Sequence, residues 1–489
     1  MKIDFLSPST DYAGRSPDWI GNRCVNWYLE VSAGGPGSKS KLILIGSPGT
    51  VLAFTVGVGP IRGMHVFNNT LFVVSGEQLF SVPPAGTIPL VLGTLLTSVG
   101  RIVIKDNGIK DANDIGGNQL MIVDGVEGYI YNISTGAFST ITGGGWPGTP
   151  SNLEYIDGYF IIPVVNSMSA FASNLYDGTT WNALATSPVE AAPDVLQAPM
   201  NSHDQLFMLK QYTSEVWQNM GTAPAAGFPF QRIPGAVFDY GTSAPLSVGR
   251  GDNSFFMLAN QRNNDGGEFV GAVEFNGSFQ IISPPGITYQ MSLWPTLLDA
   301  FGYTYSDGGH TFYVVTSPSG NQTFVYDAST QLWHERSTYT GSPYTIGRHI
   351  ASCYAYFNGM HLVGDYASGN IYQMSSSIYQ DNGSPLVSMR VGGHVYDPEN
   401  LSPIFIRQLT VDVETGGGIV GSEEPASMAM AFSADGGHTF SNDYVRSIGS
   451  GGQYGKRVVW YEIGSFVDFV PRLTISDNCQ RNVMGVYVR

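Results

Sequence analysis

The hexapeptide Asp-Gly-Gly-His-Thr-Phe occurs twice, at residues 307–312 and 435–440. A carboxylate just ahead of a glycine pair can accept backbone N–H groups of a tight turn, while glycine supplies positive φ without a Cβ clash. Asp307, Gly309 and Thr311 in the first copy, and Ser433, Asp435, Gly437, Thr439 and Phe440 around the second, therefore read as hairpin-turn residues and not as acid–base catalysts. Arg250-Gly251-Asp252 reads as another turn. Gly143-Gly-Gly-Trp-Pro-Gly-Thr-Pro150 is glycine-rich but lacks the Lys-Ser/Thr ending of a phosphate cradle. His361 and Asp365 stand four apart in a strand-and-turn context, where they read as solvated or core side chains. No Cys-x-x-Cys, His-Glu-x-x-His or Gly-x-Ser-x-Gly occurs, so the usual metal and serine-hydrolase signatures are missing. Cys24, Cys353 and Cys479 are odd in number and far apart, and read as buried small hydrophobes. The sequence assigns no catalytic residue, metal ligand or cofactor.

The second hexapeptide also resembles the Asp box of sialidase propellers, Ser-x-Asp-x-Gly-x-Thr-aromatic. There the motif is a hairpin device away from the active site. A glycosidase of that kind would further need an arginine cluster and a Tyr/Glu nucleophile pair. Sixteen arginines are present, but nothing places three of them at corresponding positions of a repeat. A carbohydrate-binding or sialidase-like, glycan-cleaving β-propeller stands as the alternative reading of the chain.

Turns of this kind need strands to join. The chain has 489 residues, with 61 Gly, 28 Pro, 26 Tyr and 26 Phe, and only 13% charged residues. Low charge excludes a coiled coil, and 43% hydrophobic residues exclude disorder. Strand pairs recur along the middle: Gly63-Met-His-Val-Phe-Asn-Asn-Thr-Leu-Phe-Val-Val, Leu120-Met-Ile-Val-Asp-Gly, Leu153-Glu-Tyr-Ile-Asp-Gly-Tyr-Phe-Ile-Ile, then His203, Asn253, His310 and Tyr354 at the heads of similar runs. The starts, near 63, 117, 154, 200, 249, 308 and 350, are spaced by roughly 37–59 residues. A four-stranded unit at this period indicates an all-β fold with a β-propeller of about seven blades, six being the other count; two stacked sandwiches are the competing architecture. No segment shows helical periodicity. From about residue 380 the texture changes to longer alternating strands, such as Arg407-Gln-Leu-Thr-Val-Asp-Val and Pro471-Arg-Leu-Thr-Ile, which suit a separate C-terminal β-sandwich. The expected division is an extended N-terminal segment at 1–50, a propeller at 51–379 and a sandwich at 380–489.

The net charge is −16, most of it carried by residues 50–379, where 23 acidic groups face ten basic ones. Nucleic-acid binding through a basic surface is therefore not expected. No apolar run reaches the length of a membrane span and the N-terminus has no apolar signal core, so stable membrane insertion and secretion are not expected.

The chain ends carry a second resemblance. Arg15-Ser-Pro-Asp-Trp-Ile-Gly-Asn-Arg-Cys-Val-Asn26-Trp-Tyr28-Leu-Glu30, then Leu42-Ile-Leu-Ile-Gly46-Ser-Pro48-Gly49, is similar to the N-terminal signature of short-tailed phage tail nozzle proteins. These are also called packaged-DNA stabilisation or tail tubular B proteins. The signature is an Asn-x-Tyr-x-Glu segment, a strand and a Gly-x-Pro-Gly turn. The C-terminal hairpin and Tyr454-Gly-Lys456-Arg457-Val-Val-Trp460 are similar too. Trp27 and Leu29 depart from the Leu and Pro frequent in the family. The resemblance implies a non-enzymatic virion protein of the phage tail, assembled in the host bacterial cytoplasm. It would form a homohexamer below the portal and the tail adaptor, extend the channel for packaged double-stranded DNA without reading its sequence, and dock tail fibres or spikes.

Overall fold

In the computed structural model the described residues are 5–6, 12–32, 40–83, 88–251, 253–261, 269–274, 277–341 and 345–489. Seven antiparallel sheets follow one another from residue 61 to residue 375. Their first strands are Ile61–Phe67, Val103–Asp106, Glu154–Ile156, Leu196–Ser202, the half-strands Gly241–Thr242 and Gly249–Arg250, Phe301–Asp307 and Ala351–Phe357. Each first strand lies against the next, through the short turn Pro245–Ser247 at the fifth sheet, and Ala351–Phe357 lies against Ile61–Phe67. The sheets thus close into a seven-bladed propeller.

Alternation along each strand explains the ring. Leu71 and Val73 of the first blade point towards Leu362 and Ile371 of the seventh, whereas Phe72 and Val74 point towards Ile104 and Ile122 of the second. One apolar cluster of this kind fills every junction between blades. Strands buried on both faces read as continuous apolar runs, which is why their starts are visible in the sequence. The start expected near 117 belongs to the second strand of its blade. The true first strand, Val103–Asp106, has four residues and carries Lys105 and Asp106, too short and too polar to show alternation.

Among the described residues one α-helix, Pro285–Ser292, interrupts the strand pattern between blades five and six. Eight residues are too few to establish a helical period, yet Ile287 and Met291, one turn apart, are fully buried against both blades.

The ends of the chain are woven together. Gly49–Thr55 pairs with Asn370–Ser375 and completes blade seven, so the ring is closed by a strand from the N-terminal side. Trp27–Val31 and Leu42–Gly46 join Val483–Val488, Ile404–Val413 and Val458–Phe466 in one sheet of the sandwich. The other sheet contains Ser388–Val391, Asp468–Ile475, Ala426–Ser433 and Tyr444–Gly449. Arg23–Val25 pairs in parallel with Leu332–Glu335, the outer strand of blade six, and antiparallel with Ser388–Val391. A single hydrogen-bonded sheet therefore runs from blade six into the sandwich. The C-terminal strands supply most of both sheets of the sandwich, Trp27–Val31 and Leu42–Gly46 complete the first, and the core buries Cys24, Trp27, Leu29 and Leu44 of the N-terminal segment.

Candidate functional site

The residues of the N-terminal signature meet where propeller and sandwich join. Asn26 sits between two strands at φ 52°, a left-handed conformation that Asn tolerates better than most residues. Its Nδ2 donates to the carbonyls of Ser337 and Val387, 2.8 Å each, and its Oδ1 accepts from the Ser337 amide at 3.0 Å. One side chain thereby ties blade six to the first connection into the sandwich. The kink also turns successive side chains to different partners. Trp27 is fully buried in the sandwich and its indole N–H donates to the Arg481 carbonyl at 2.7 Å. Tyr28 packs edge-on against His310 and Phe312 of blade six. Leu29 returns to the sandwich core, and Glu30 is exposed.

Gly46, Pro48 and Gly49 lie across the same junction. A Cβ on Gly46 would stand 3.2 Å from the Arg481 guanidinium, and one on Gly49 would fall 2.6 Å from the carbonyl oxygens of both Ile378 and Gln380. Pro48 is buried between them. Glu335, buried at the end of blade six, takes a bidentate ion pair from Arg23 at 2.6 and 2.8 Å and a hydrogen bond from the Tyr12 hydroxyl.

Sequence reasoning missed the charged groups beneath this junction. Arg336, Asp381 and Arg481 are all buried. Burial outweighs pairing for two of them: it pushes the Asp381 carboxyl up to about 7, against the pull of Thr50, Arg481 and Arg336, and lowers the Arg481 guanidinium to about 10. Arg336 packs on the Tyr305 and Phe312 rings and donates to the Tyr305 hydroxyl. Burial, with Arg336 close by, lowers His349 to about 3 and holds His334 well below its usual range. His349, Asp381 and Arg481 stand apart in the sequence and His334 and Arg336 merely flank Glu335, a run that matches no metal or catalytic spacing.

The two hexapeptides differ in use. Ser433 and Asp435 build a side-chain-bonded turn: Asp435 accepts from the Thr439 amide at 2.9 Å and from its hydroxyl at 2.6 Å, and Ser433 Oγ accepts from the Gly437 amide at 2.8 Å. These bonds hold the Asp435 carboxyl well below the usual range. Phe440 lies under the Arg472 guanidinium, 4.7 Å from its ring centroid. In the first copy Asp307 pairs with His310 in a plain two-residue hairpin through Gly308 and Gly309, both at positive φ, and Thr311 meets Ser306 at 3.1 Å. Turn geometry there comes from the glycines, so the carboxylate is not recruited.

The remaining motifs do not converge. His361 meets the Tyr354 hydroxyl at 2.9 Å, whereas Asp365 is buried and accepts from the Ala367 amide and the Ser368 hydroxyl. Gly145 and Trp146 of the glycine-rich loop pack on Trp181. Asp252 of the Arg-Gly-Asp turn lies outside the described residues. Ser202, His203 and Asn253 form a hydrogen-bonded chain, but Ser202 is buried, which leaves a substrate carbonyl no approach. All three cysteines are buried and free, and burial pushes Cys24 and Cys479 up to about 11. Among the described residues no three His, Cys, Asp or Glu are grouped to hold a metal ion, and no helix is long and apolar enough to cross a membrane. The junction is built for mechanical continuity; what it can do chemically is hold protons on buried groups.

Two protein-family profiles match the chain: bacteriophage P22 Gp10, beta-propeller, over residues 5–379, and bacteriophage P22 Gp10, beta-sandwich, over residues 392–489. No curated protein matches. Among solved structures, the chain is similar to the Pan2 WD40 domain of Neurospora crassa, at 10% identity and TM-score 0.39, with 65% of this chain and 89% of that one covered. It is also similar to YCF48 bound to D1 peptide, at 12% and 0.39, covering 71% and 99%. PorZ of Porphyromonas gingivalis gives 9% and 0.39, covering 75% and 45%.

Proposed function

The chain belongs to the bacteriophage P22 Gp10 family, a podovirus family of packaged-DNA stabilisation and tail proteins, and from that premise we propose that it is the tail nozzle of a short-tailed phage. It is a structural component of the virion. In the proposed role six copies form a ring on the tail adaptor below the portal, assembled in the host cytoplasm. The ring extends the channel, helps to retain packaged DNA until ejection, and offers docking surface to fibres or spikes. The observation that carries the reading is that both family domains are matched in order over almost the whole chain.

Two features support it. Across the propeller axis, Arg101 lies over the Phe301 ring of blade six at 4.2 Å, and Asn152 of blade three donates to the Pro245 carbonyl of blade five at 3.0 Å. Side chains thus bridge blades that are not neighbours, and in the proposed ring the duplex passes between subunits and not through a propeller. The acidity of residues 50–379 also suits a wall that DNA slides past. Few Lys or Arg are there to release counterions, and at ~0.15 M salt repulsion reaches only about 8 Å, so it would lubricate the passage and leave retention to steric closure.

Electron microscopy of assembled particles tests the reading: six-fold density below the adaptor is expected, and any other symmetry would count against it. The purified protein is expected not to hydrolyse sialosides, other glycosides or esters. Hydrolysis abolished by one point substitution would move the chain to the glycan-cleaving alternative.

A further inference from the structure

The segment that crosses from the helix to the sandwich is fixed on one side and bare on the other. On the fixed side the Gln290 side chain donates to the Ala13 carbonyl at 3.0 Å. His394 spans from Asp468, at 2.7 Å, to the Pro17 carbonyl, at 2.9 Å. A backbone turn at Ser16 receives the amides of Trp19 and Ile20 at 3.1 Å. On this anchored turn Trp19 is 75% exposed. It borders a cleft of about 430 Å³ against the sandwich, whose other apolar walls are Leu401, 64% exposed, Val467, 54%, and Tyr396, 48%. Single exposed hydrophobic residues need no explanation, but four converging on one concavity do.

The Trp19 indole, the Tyr396 hydroxyl and the Asn22 amide can donate hydrogen bonds here, but the acidic groups of the lining are the carboxylates of Asp18 and Asp468. The Asp18 carboxylate is largely exposed beside Trp19. Within the lining, Asn22 Oδ1 and Asp468 Oδ1 are buried with no hydrogen-bond donor. With His394 and His438 neutral, the two carboxylates give the cleft a formal charge of −2; with both protonated it is neutral, and never positive. The two orphan acceptors in the lining lower the potential of the cleft in either case. A neutral sugar gains nothing from the negative charge, whereas a cation with a flat, weakly hydrated face can both pair with a carboxylate and stack on the exposed indole.

We propose that this cleft receives an arginine side chain from a partner polypeptide. The guanidinium stacks on Trp19 and pairs with Asp18, and its methylenes lie along Leu401 and Val467. Tryptophan and arginine are the residues in which binding energy concentrates at protein interfaces. The assignment goes beyond the nozzle reading and does not depend on six-fold symmetry.

The test uses the purified full chain and three probes: acetyl-Leu-Arg-Leu-amide, the same peptide with uncharged citrulline in place of arginine, and maltohexaose. Saturation-transfer NMR titrations are expected to show saturable binding of the arginine peptide, at least five-fold weaker binding of the citrulline peptide, and weakening by a further rise in salt. Trp19→Ala and Asp18→Asn should each reduce arginine-peptide binding at least three-fold. Both are exposed, and an unchanged thermal midpoint will confirm the fold. Equal binding of the two peptides, or binding unaffected by Trp19→Ala, would overturn the proposal. Trp19-dependent binding of maltohexaose without that of the arginine peptide would overturn it in favour of a glycan site.

Discussion

Asp381 holds its proton at a pH where an exposed aspartate would have lost it, because burial pushes its carboxyl up to about 7. The sign of the linkage follows. The native pKa lies above the unfolded value of about 3.9, so this contribution to stability is complete below about pH 4 and is lost as pH rises through about 7. The loss should be on the order of 2–4 kcal/mol at about 1.4 kcal/mol per unit. Denaturant midpoints taken from pH 5 to pH 8 are expected to fall for the native chain relative to Asp381→Asn, which cannot ionise. Parallel curves would show that Asp381 titrates normally. Asn26 gives a second expectation at this scale. Asn26→Ala removes three side-chain hydrogen bonds and places a Cβ without compensation at φ 52°, costing about 3–5 kcal/mol. Asn26→Gly should recover only the backbone part, about 1 kcal/mol, in the same unfolding measurement. The sequence marked Asn26 through its motif but not its partners, since Ser337 and Val387 lie more than 300 residues away. It was silent on Asp381 and Arg481, whose significance comes from burial alone.

At the level of elements, what the sequence revealed depended on whether pairing was local. Hairpins within a blade join neighbouring runs, and their alternation and turn residues could be read directly. Strands such as Trp27–Val31 could be recognised as strands, but their assignment to the sandwich rests on partners near the other terminus. The Asp435 hairpin shows the same contrast. Its internal bonds follow from its motif, whereas its role as a rest for the crossing segment does not. Gly436, at φ 71°, backs directly on Asp18, and a Cβ there would overlap the Asp18 carboxylate at 1.8 Å. Gly436→Ala should therefore lift residues 13–22 from the sandwich while leaving both cores intact. Limited proteolysis is expected to cut that segment several-fold faster in the variant, with little change in the thermal midpoint. Unchanged cleavage would mean that the exposed Asp18 side chain rotates aside or the hairpin yields instead.

Across the whole molecule, the shared sheet makes propeller and sandwich one mechanical and thermodynamic unit. Calorimetry is expected to give a single unfolding transition, and two resolved transitions would refute the coupling. Removal of residues 392–489 should not release a soluble propeller, because Trp27, Leu29 and Leu44 would lose the core that covers them; a monodisperse truncated protein on gel filtration would contradict this. The family assignment follows domain order over the length of the chain, which sequence carries well, whereas the weave of its ends lies in pairings between residues hundreds of positions apart. That weave also sets a clock. Leu42–Gly46 pairs with Val483–Val488, so a strand made among the first residues waits for one made among the last. At about 5–20 residues per second, synthesis of the chain takes roughly half a minute to a minute and a half. Until the strands from Ile404 onward are made, the Trp27 face of this apolar hairpin lacks the sandwich core that covers it, although Tyr28 can already rest on blade six. On a polysome, where many nascent copies hang side by side, that uncovered face is open to pairing with a neighbour's.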